Sequence, residues 1–387
     1  MVYKICFELL KSPKKSTFVH MRCKRIIISV VSDLETDQRV HKVASFFEKE
    51  GFDVLVIGRK LKRSGKLSRS YSTKRMRMLC SGGFLFYTEF NIRLFFLLLF
   101  SSFDCLWSND TDTLLPNFWV SKIRHKRLCF DAHELFPQLP ELIHRPCIQY
   151  FWERIENCIF PKLTCAFTVC QSIADYYEKR YGIKMTVLRN VPEQKDLTQY
   201  VPILDFPGKN IMLYQGAVNV GRGLEQTIEA MSLLENAVLV IVGDGDVLPQ
   251  LQRQVIESNL SDKVVFTGRV PLEELPRYTI SAKVGLALLE QEGLSYYYAL
   301  PNRIFDFIQA GIPILATDFP EMARVVKEYQ VGKTIAENRP EMIAKAIQEM
   351  LSQNYSKENF AKAASDFCWD NEQQKIKKQL RAYGLFE

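Results

Sequence analysis

From residue 25 onward the chain alternates short β-branched apolar runs with amphipathic segments, and it does so twice, with a single break between the two series. RIIISVV (25–31) is continuous and apolar, the pattern of a strand buried on both faces. A helical stretch follows over 39–49, with Val40, Val43, Ala44 and Phe47 on one face; Gly51 closes it, and FDVLVIG (52–58) comes next. Strand, helix, glycine and strand in that order predict a parallel pair joined by a right-handed crossover. Further strands are expected at 76–80, 104–108, 127–131, 165–169 and 185–190, and the clearest helices at 150–160 and 171–181. Residues 191–209 carry Pro192, Pro202 and Pro207 without periodicity, as a linker does. The alternation restarts at 210–216 and runs through 237–245, 264–268, 284–289 and 313–317, with helical segments at 340–352 and 357–381. The economical fold is α/β: two doubly wound, Rossmann-like domains facing across a cleft, with ligands outside the carboxyl ends of the strands. The expected divisions are an N-terminal extension (1–20), a first domain (21–195) and a second domain (196–387) whose terminal helix is free to pack back on the first.

With 387 residues, 47% hydrophobic and 25% charged, the composition is that of a two-domain globular protein and excludes a disordered or fibrous chain. Charge is placed unevenly. Residues 1–190 hold 31 Lys and Arg against 18 Asp and Glu, and the remainder 20 against 26. A basic half joined to an acidic half points to two different partners, one of them anionic. The ten cysteines form no C-x-x-C pair, and Cys105, Cys129 and Cys165 sit inside apolar runs, as buried thiols of a cytosolic protein do. His125 and Cys129 are the nearest zinc-ligand pair and have no further ligands beside them. The start, MVYKICFELLKSPKK, lacks the apolar length and cleavage site of a signal peptide.

Two stretches stand apart. Residues 59–77 contain nine basic residues (among them Arg59, Lys62, Arg63 and Lys66) and no acid. FNIRLFFLLLF (90–100) is intensely apolar but short of the roughly 20 residues of a membrane span. Either it is a buried core helix, or with the basic loop it forms a surface for anionic lipid. The loop offers only Tyr71 for stacking on bases, which argues against nucleic acid.

The residues suited to chemistry lie in four places. In YQGAVNVGRGLE (214–225), Gly216, Gly221 and Gly223 permit close backbone approach between a strand and a helix, and Arg222 adds charged donors for a diphosphate. VGDGD (242–246) contributes Gly243 to a second such turn, suited to bordering a base. In LPNRIFDFIQAGIP (300–313), Asn302 and Arg303 open a helix and suit phosphate, while Asp306, one turn on, suits ribose hydroxyls; a capped helix with an exposed Asp–Arg pair fits as well. FDAHELFP (130–137) puts Asp131, His133 and Glu134 at a strand's carboxyl end. Asp110 and Asp112 form a D-x-D of the kind that binds metal, but they stand at a helix start, where N-capping is the expected role.

Taken in order, YQG…GRGLE, VGDG, LPNRIFDFIQAGIP and DAHE resemble the retaining glycosyltransferases of family 4, which have the GT-B fold, over residues from about 25 to the C-terminus. The resemblance implies a nucleotide-sugar donor on the second domain, an acceptor on the first, and no metal or other cofactor; the basic loop and the 90–100 helix alone point to a glycan or lipid-linked acceptor. It implies that Arg222 holds the diphosphate, Asp306 the ribose, and that His133 lies near the transferred sugar. Three departures accompany it: Tyr298 stands eight positions before Asp306 where the family has an acid, Ala217 replaces a basic residue, and 32–40 has no glycine. The expectation is a cytoplasmic hexosyltransferase of surface-polysaccharide synthesis, peripheral on the inner face of the cytoplasmic membrane through 59–77 and 90–100. Its rivals are a nucleotide-sugar epimerase of the same fold and a non-catalytic nucleotide-sugar-binding protein at the membrane.

Overall fold

The structure, a computed structural model, describes residues 24–62 and 64–386. The expected extension over 1–20, the start of the first domain at Met21, and Arg63 of the basic stretch lie outside the described residues.

Two parallel sheets carry the chain. The first contains β1 (Arg25–Asp33), β2 (Asp53–Lys60), β3 (Ser72–Arg77), β4 (Cys105–Asn109), β5 (Arg127–Ala132), β6 (Ala166–Thr168) and β7 (Thr186–Val187). Their spatial order is β3-β2-β1-β4-β5-β6-β7. The second contains β8 (Asn210–Gln215), β9 (Ala237–Val242), β10 (Val264–Gly268), β11 (Val284–Ala287), β12 (Ile314–Thr317) and β13 (Gly332–Ile335), ordered β10-β9-β8-β11-β12-β13. In each sheet the order reverses beside the first strand, between β1 and β4 and again between β8 and β11. These are the two crevices where ligands bind in such sheets.

Burial explains the strand signal. Ile26, Ile27 and Ile28 are all inaccessible, so β1 is covered on both faces and tolerates no polar alternation. The first edge strand lies at 72–77 rather than 76–80. Its ladder with β2 pairs Leu55 with Ser72 and Lys60 with Arg77, and only Met76 in it is buried. An exposed polar strand has little apolar periodicity to read. β13, also half-exposed, gave no signal for the same reason.

Helix α1 (Gln38–Lys49) starts at Asp37, whose carboxylate accepts from the Val40 amide at 3.0 Å. Helix α2 (Gly83–Leu99) is longer than the apolar run suggested. Phe86, Phe90, Leu94 and Leu98, each four apart, are buried in the first-domain core. Side chains of this kind contribute about 1.5–3 kcal/mol apiece. The opposite face is also apolar: Phe84, Leu85, Ile92, Phe96 and Phe100 are exposed. Leu98 therefore faces the core and cannot reach lipid. No described helix is long and apolar enough to cross a membrane.

The terminal helix Trp369–Ala382 crosses to the first domain, where Trp369, Ile376 and Leu380 join the core that holds Ile26, Phe46 and Phe47. Lys377 pairs with Glu50 at 2.8 Å across the same contact. A second tie comes from Glu321 of the second domain, which accepts from the Ser172 amide (2.8 Å) and hydroxyl (2.7 Å) at the start of the helix Gln171–Tyr181. Cys105, Cys129 and Cys165 are buried free thiols, and burial holds the Cys129 thiol well above its usual range.

Candidate active site

The carboxyl ends of β1, β5, β6 and β8 meet at a cavity of about 640 Å³ between the domains. Seven of the residues suited to chemistry by sequence line it: His133, Glu134, Gly216, Arg222, Asn302, Arg303 and Asp306.

On the first-domain side, β5 ends in Asp131, fully buried and gripped by Arg39 of α1 through two bonds, Nη2 to Oδ1 at 2.6 Å and Nε to Oδ2 at 3.0 Å. Arg39, itself 3% exposed, also donates to the Leu188 carbonyl at 2.8 Å. Both charges are thus paired and hydrogen-bonded, the condition for burying them at all. Burial would raise the Asp131 carboxyl, but Arg39 and His133 outweigh it and hold the group far below the usual carboxylate range.

His133 is held from both ring nitrogens. Nδ1 lies 3.3 Å from Asp110 Oδ2, and Nε2 lies 3.1 Å from Asn109 Oδ1 and 3.5 Å from Asp131 Oδ2. Its amide donates to Asp110 Oδ1 at 2.7 Å. Burial acts to lower the imidazole pKa, yet Asp110 and Asp131 raise it to about 9, so the ring is a cation at neutral pH. Asp110 is not the N-cap expected from sequence. It is the first residue of helix α3 (Asp110–Ile123), no side chain caps that helix, and Asp110 sits at φ 57°. A non-glycine residue in the left-handed region is strained; here it aims both oxygens at His133. Burial raises Glu134, reinforced by Asp110, to about 8.

The β1–α1 turn explains the absent glycine pair. Ser32 donates to Asp37 at 2.5 Å, and Asp33 accepts from the Glu35 amide at 3.2 Å and from Ser64. Side-chain oxygens here do the work that bare backbone does in a glycine turn, and Ser32, Asp37 and Gln38 consequently line the cavity.

On the second-domain side, β8 ends in Gln215, a residue the sequence reading missed. Its amide bridges Asp306 Oδ2 (3.0 Å) and the Thr279 hydroxyl (2.9 Å). Burial raises the Asp306 carboxyl above its usual value. Arg303 is 8% exposed, its guanidinium lies 4.3 Å above the Tyr214 ring, and its Nη1 has no hydrogen-bond partner among the described residues. This is not the exposed Asp–Arg pair of a capped helix. Arg222 stacks on Tyr296 at 4.7 Å, and its buried Nε likewise lacks a partner. Two guanidiniums with unmet donors on one wall form a receptor for an anion.

The glycines divide by role. Gly216 lines the cavity at φ 134°. Gly243 sits so close behind it that a Cβ there would fall 1.8 Å from the Gly216 carbonyl oxygen; it borders a neighbouring cavity of about 550 Å³ with Arg269 and Val270. Gly221 and Gly223 do not line these cavities. They shape the loop that carries Arg222, packed against Tyr296 and against Leu288. Ala217 lines the cavity without adding charge. Tyr298 turns away from it and packs into the first-domain core.

Residues 200–367 match the family model for glycosyl transferases group 1. The match lies within the second domain. The chain is 25% identical over 169 residues to the probable glycosyltransferase WbjE of Pseudomonas aeruginosa, an alignment covering 43% of this chain and 42% of that protein. An uncharacterized glycosyltransferase of Methanocaldococcus jannaschii is 22% identical over 308 residues, 73% of this chain and 75% of its own length. Among solved structures, sucrose-phosphate synthase from Thermosynechococcus elongatus superposes with a TM-score of 0.74 at 18% identity, covering 93% of this chain and 99% of that one. Anabaena HepE, solved in complex with UDP and glucose, superposes with a TM-score of 0.68 at 14% identity, covering 92% and 99%. The fold of this chain is GT-B.

Proposed function

We propose that this chain is a retaining glycosyltransferase that moves a sugar from a nucleotide-diphosphate donor to a glycan or lipid-linked acceptor in surface-polysaccharide synthesis. The observation that carries this reading is the pair Arg222 and Arg303: two guanidiniums with unmet donors, in one cavity with the His133 cation. A diphosphate satisfies those donors. In the reaction the bond from the anomeric carbon to the diphosphate breaks, and positive charge grows on the sugar as negative charge grows on the leaving phosphate. Arg222 and Arg303 stabilise the latter charge without reorganising, the effect that usually dominates such catalysis. The leaving phosphate takes the acceptor hydroxyl's proton on the same face of the sugar, so configuration is retained and no protein base is required. His133 spends both ring N–H groups on Asp110, Asn109 and Asp131 and borders the sugar as a fixed wall. Gln215 fixes Asp306 for the ribose, and the cavity beside Gly243 takes the base.

A second cavity of about 980 Å³ opens on the first-domain side of His133 and Arg222. A transferase requires such room for its acceptor; an epimerase does not. The exposed face of α2, with Ile92, Phe96 and Phe100 near basic residues such as Arg93 and Arg124, suits attachment to an anionic membrane surface. Thermal denaturation with a panel of UDP-, GDP- and dTDP-sugars tests the donor reading. One nucleotide sugar should raise the midpoint in proportion to its occupancy; no shift with any of them contradicts a nucleotide-sugar site.

A further inference from the structure

The 980 Å³ cavity carries an arrangement that the donor does not use. Its inner end, beside His133, holds Asp110, Asp112 and Glu134. Asp112 is 8% exposed, and its carboxylate makes no hydrogen bond or ion pair among the described residues. A buried carboxyl group without a partner calls for hydrogen-bonding groups from outside the chain, and the hydroxyls of a sugar supply them. Arg59, at the end of β2, lines the same cavity. Its guanidinium lies 5.1 Å over the Phe86 ring, its buried Nε has no partner, and it makes no ion pair among the described residues. It therefore does not belong to the outward basic face that 59–77 suggests; it points at the cavity. The remaining wall is aromatic: Tyr87, Phe136 and Trp152 pack edge to face, and Phe84 meets Phe151 at 5.9 Å. Phe84 and Phe151 are 62% and 41% exposed, so this wall runs out to the surface, where the apolar outer face of α2 begins.

Resting on the transferase reading above, we propose that this cavity is the acceptor site and that it takes an amphiphile: a sugar joined through a phosphate to an apolar chain. The carboxyl groups of Asp110, Asp112 and Glu134 accept the sugar's hydroxyls, the Arg59 guanidinium pairs with the phosphate, and the chain leaves along Phe84, Phe151 and Trp152 toward the α2 face. A purely soluble sugar leaves Arg59 and the aromatic wall unused, and a neutral glycolipid leaves the Arg59 Nε without a partner.

The test is calorimetric titration of the full chain with four long-chain alkyl glycosyl phosphates (glucosyl, galactosyl, mannosyl and N-acetylglucosaminyl), the matching neutral alkyl glycosides, and the chain-free sugar phosphates. At least one alkyl glycosyl phosphate should bind, at least about tenfold more tightly than both its neutral and its chain-free counterparts. Isoprenyl and diacylglyceryl versions of that compound then tell which lipid supplies the chain. Arg59→Gln should erase the preference for the phosphate, Arg59→Lys should restore part of it, and Phe151→Ser should erase the preference for the chain. Nucleotide-sugar affinity, measured on each variant, reports a folded protein. Binding of no alkyl glycosyl phosphate, or equal binding of the chain-free compound, overturns the proposal. If the nucleotide sugar still binds, the donor reading survives that failure; if it does not, the transferase reading itself has failed.

Discussion

Arg303 offers the sharpest test of the donor wall, because its removal should cost the loaded protein far more than the empty one. Its guanidinium is buried over Tyr214 with Nη1 unbonded, and burial lowers its pKa. Arg303→Met keeps the apolar stem and removes the charge. Relieving a buried, unsatisfied donor is worth ~1–3 kcal/mol. Losing the stacking on Tyr214 offsets ~0.5–2 kcal/mol of that. The empty variant should therefore lie between ~1 kcal/mol less stable and ~2.5 kcal/mol more stable than the wild type, read from urea unfolding. Donor affinity should fall by ~1.5–3 kcal/mol, about 10- to 150-fold, read by calorimetry with the nucleotide sugar that stabilises the protein. A variant that loses stability and binds the donor unchanged would show Arg303 to be structural, and the reasoning from unmet donors would be wrong.

Arg222→Ala should weaken nucleotide-diphosphate binding by ~1.5–3 kcal/mol with no loss of fold, and unchanged affinity removes Arg222 from the site. His133→Ala should lower turnover far more than donor affinity; full turnover would make the ring a structural hydrogen-bonder only. The His133 pKa is raised in the folded chain from 6.5 to about 9, so its contribution to stability is whole below pH 6.5 and lost as pH rises toward 9. That loss is at most ~3 kcal/mol, and His133→Gln should flatten urea stability across this window; an unaltered slope refutes the assignment. At the membrane, Ile92→Ser with Phe96→Ser should weaken vesicle binding without lowering the melting temperature, whereas Leu98→Ser should destabilise the domain by ~2–5 kcal/mol. Charge reversal at Lys62 and Lys66 should cost up to ~1 kcal/mol each on anionic vesicles, less in high salt, and equal binding to neutral vesicles contradicts this account.

Both sheets were legible in the sequence because their central strands are buried on two faces, which leaves continuous β-branched runs such as 25–31 and 237–242. The edge strands β3 and β13 were misplaced or missed, since half-exposed strands carry no such run. The positions of Arg222, Arg303, Asp306 and His133 could be read because each follows a strand end or opens a helix. Their supports could not. Arg39 and Asp131 are 92 residues apart and meet only once α1 lies across β5, and Gln215 looks like any strand-end residue until Asp306 and Thr279 close on it. The α2 run shows the same limit: composition announced an apolar helix, but only the packing of the first-domain core decides that Leu98 is core and Phe96 is not. Arg59 was counted with its basic neighbours, and the turn of β2 toward α2 takes it out of their company.

The central claim is transfer with retention in a cleft whose two guanidiniums hold the departing diphosphate. The measurement that tests it most directly is proton NMR of the product formed from an α-linked nucleotide sugar and its acceptor, with the anomeric coupling read before mutarotation can act. The account predicts an α-linked product, formed by the wild type and suppressed in Arg222→Ala and in Arg303→Met. A β-linked product, or equal turnover in the two variants, would contradict it.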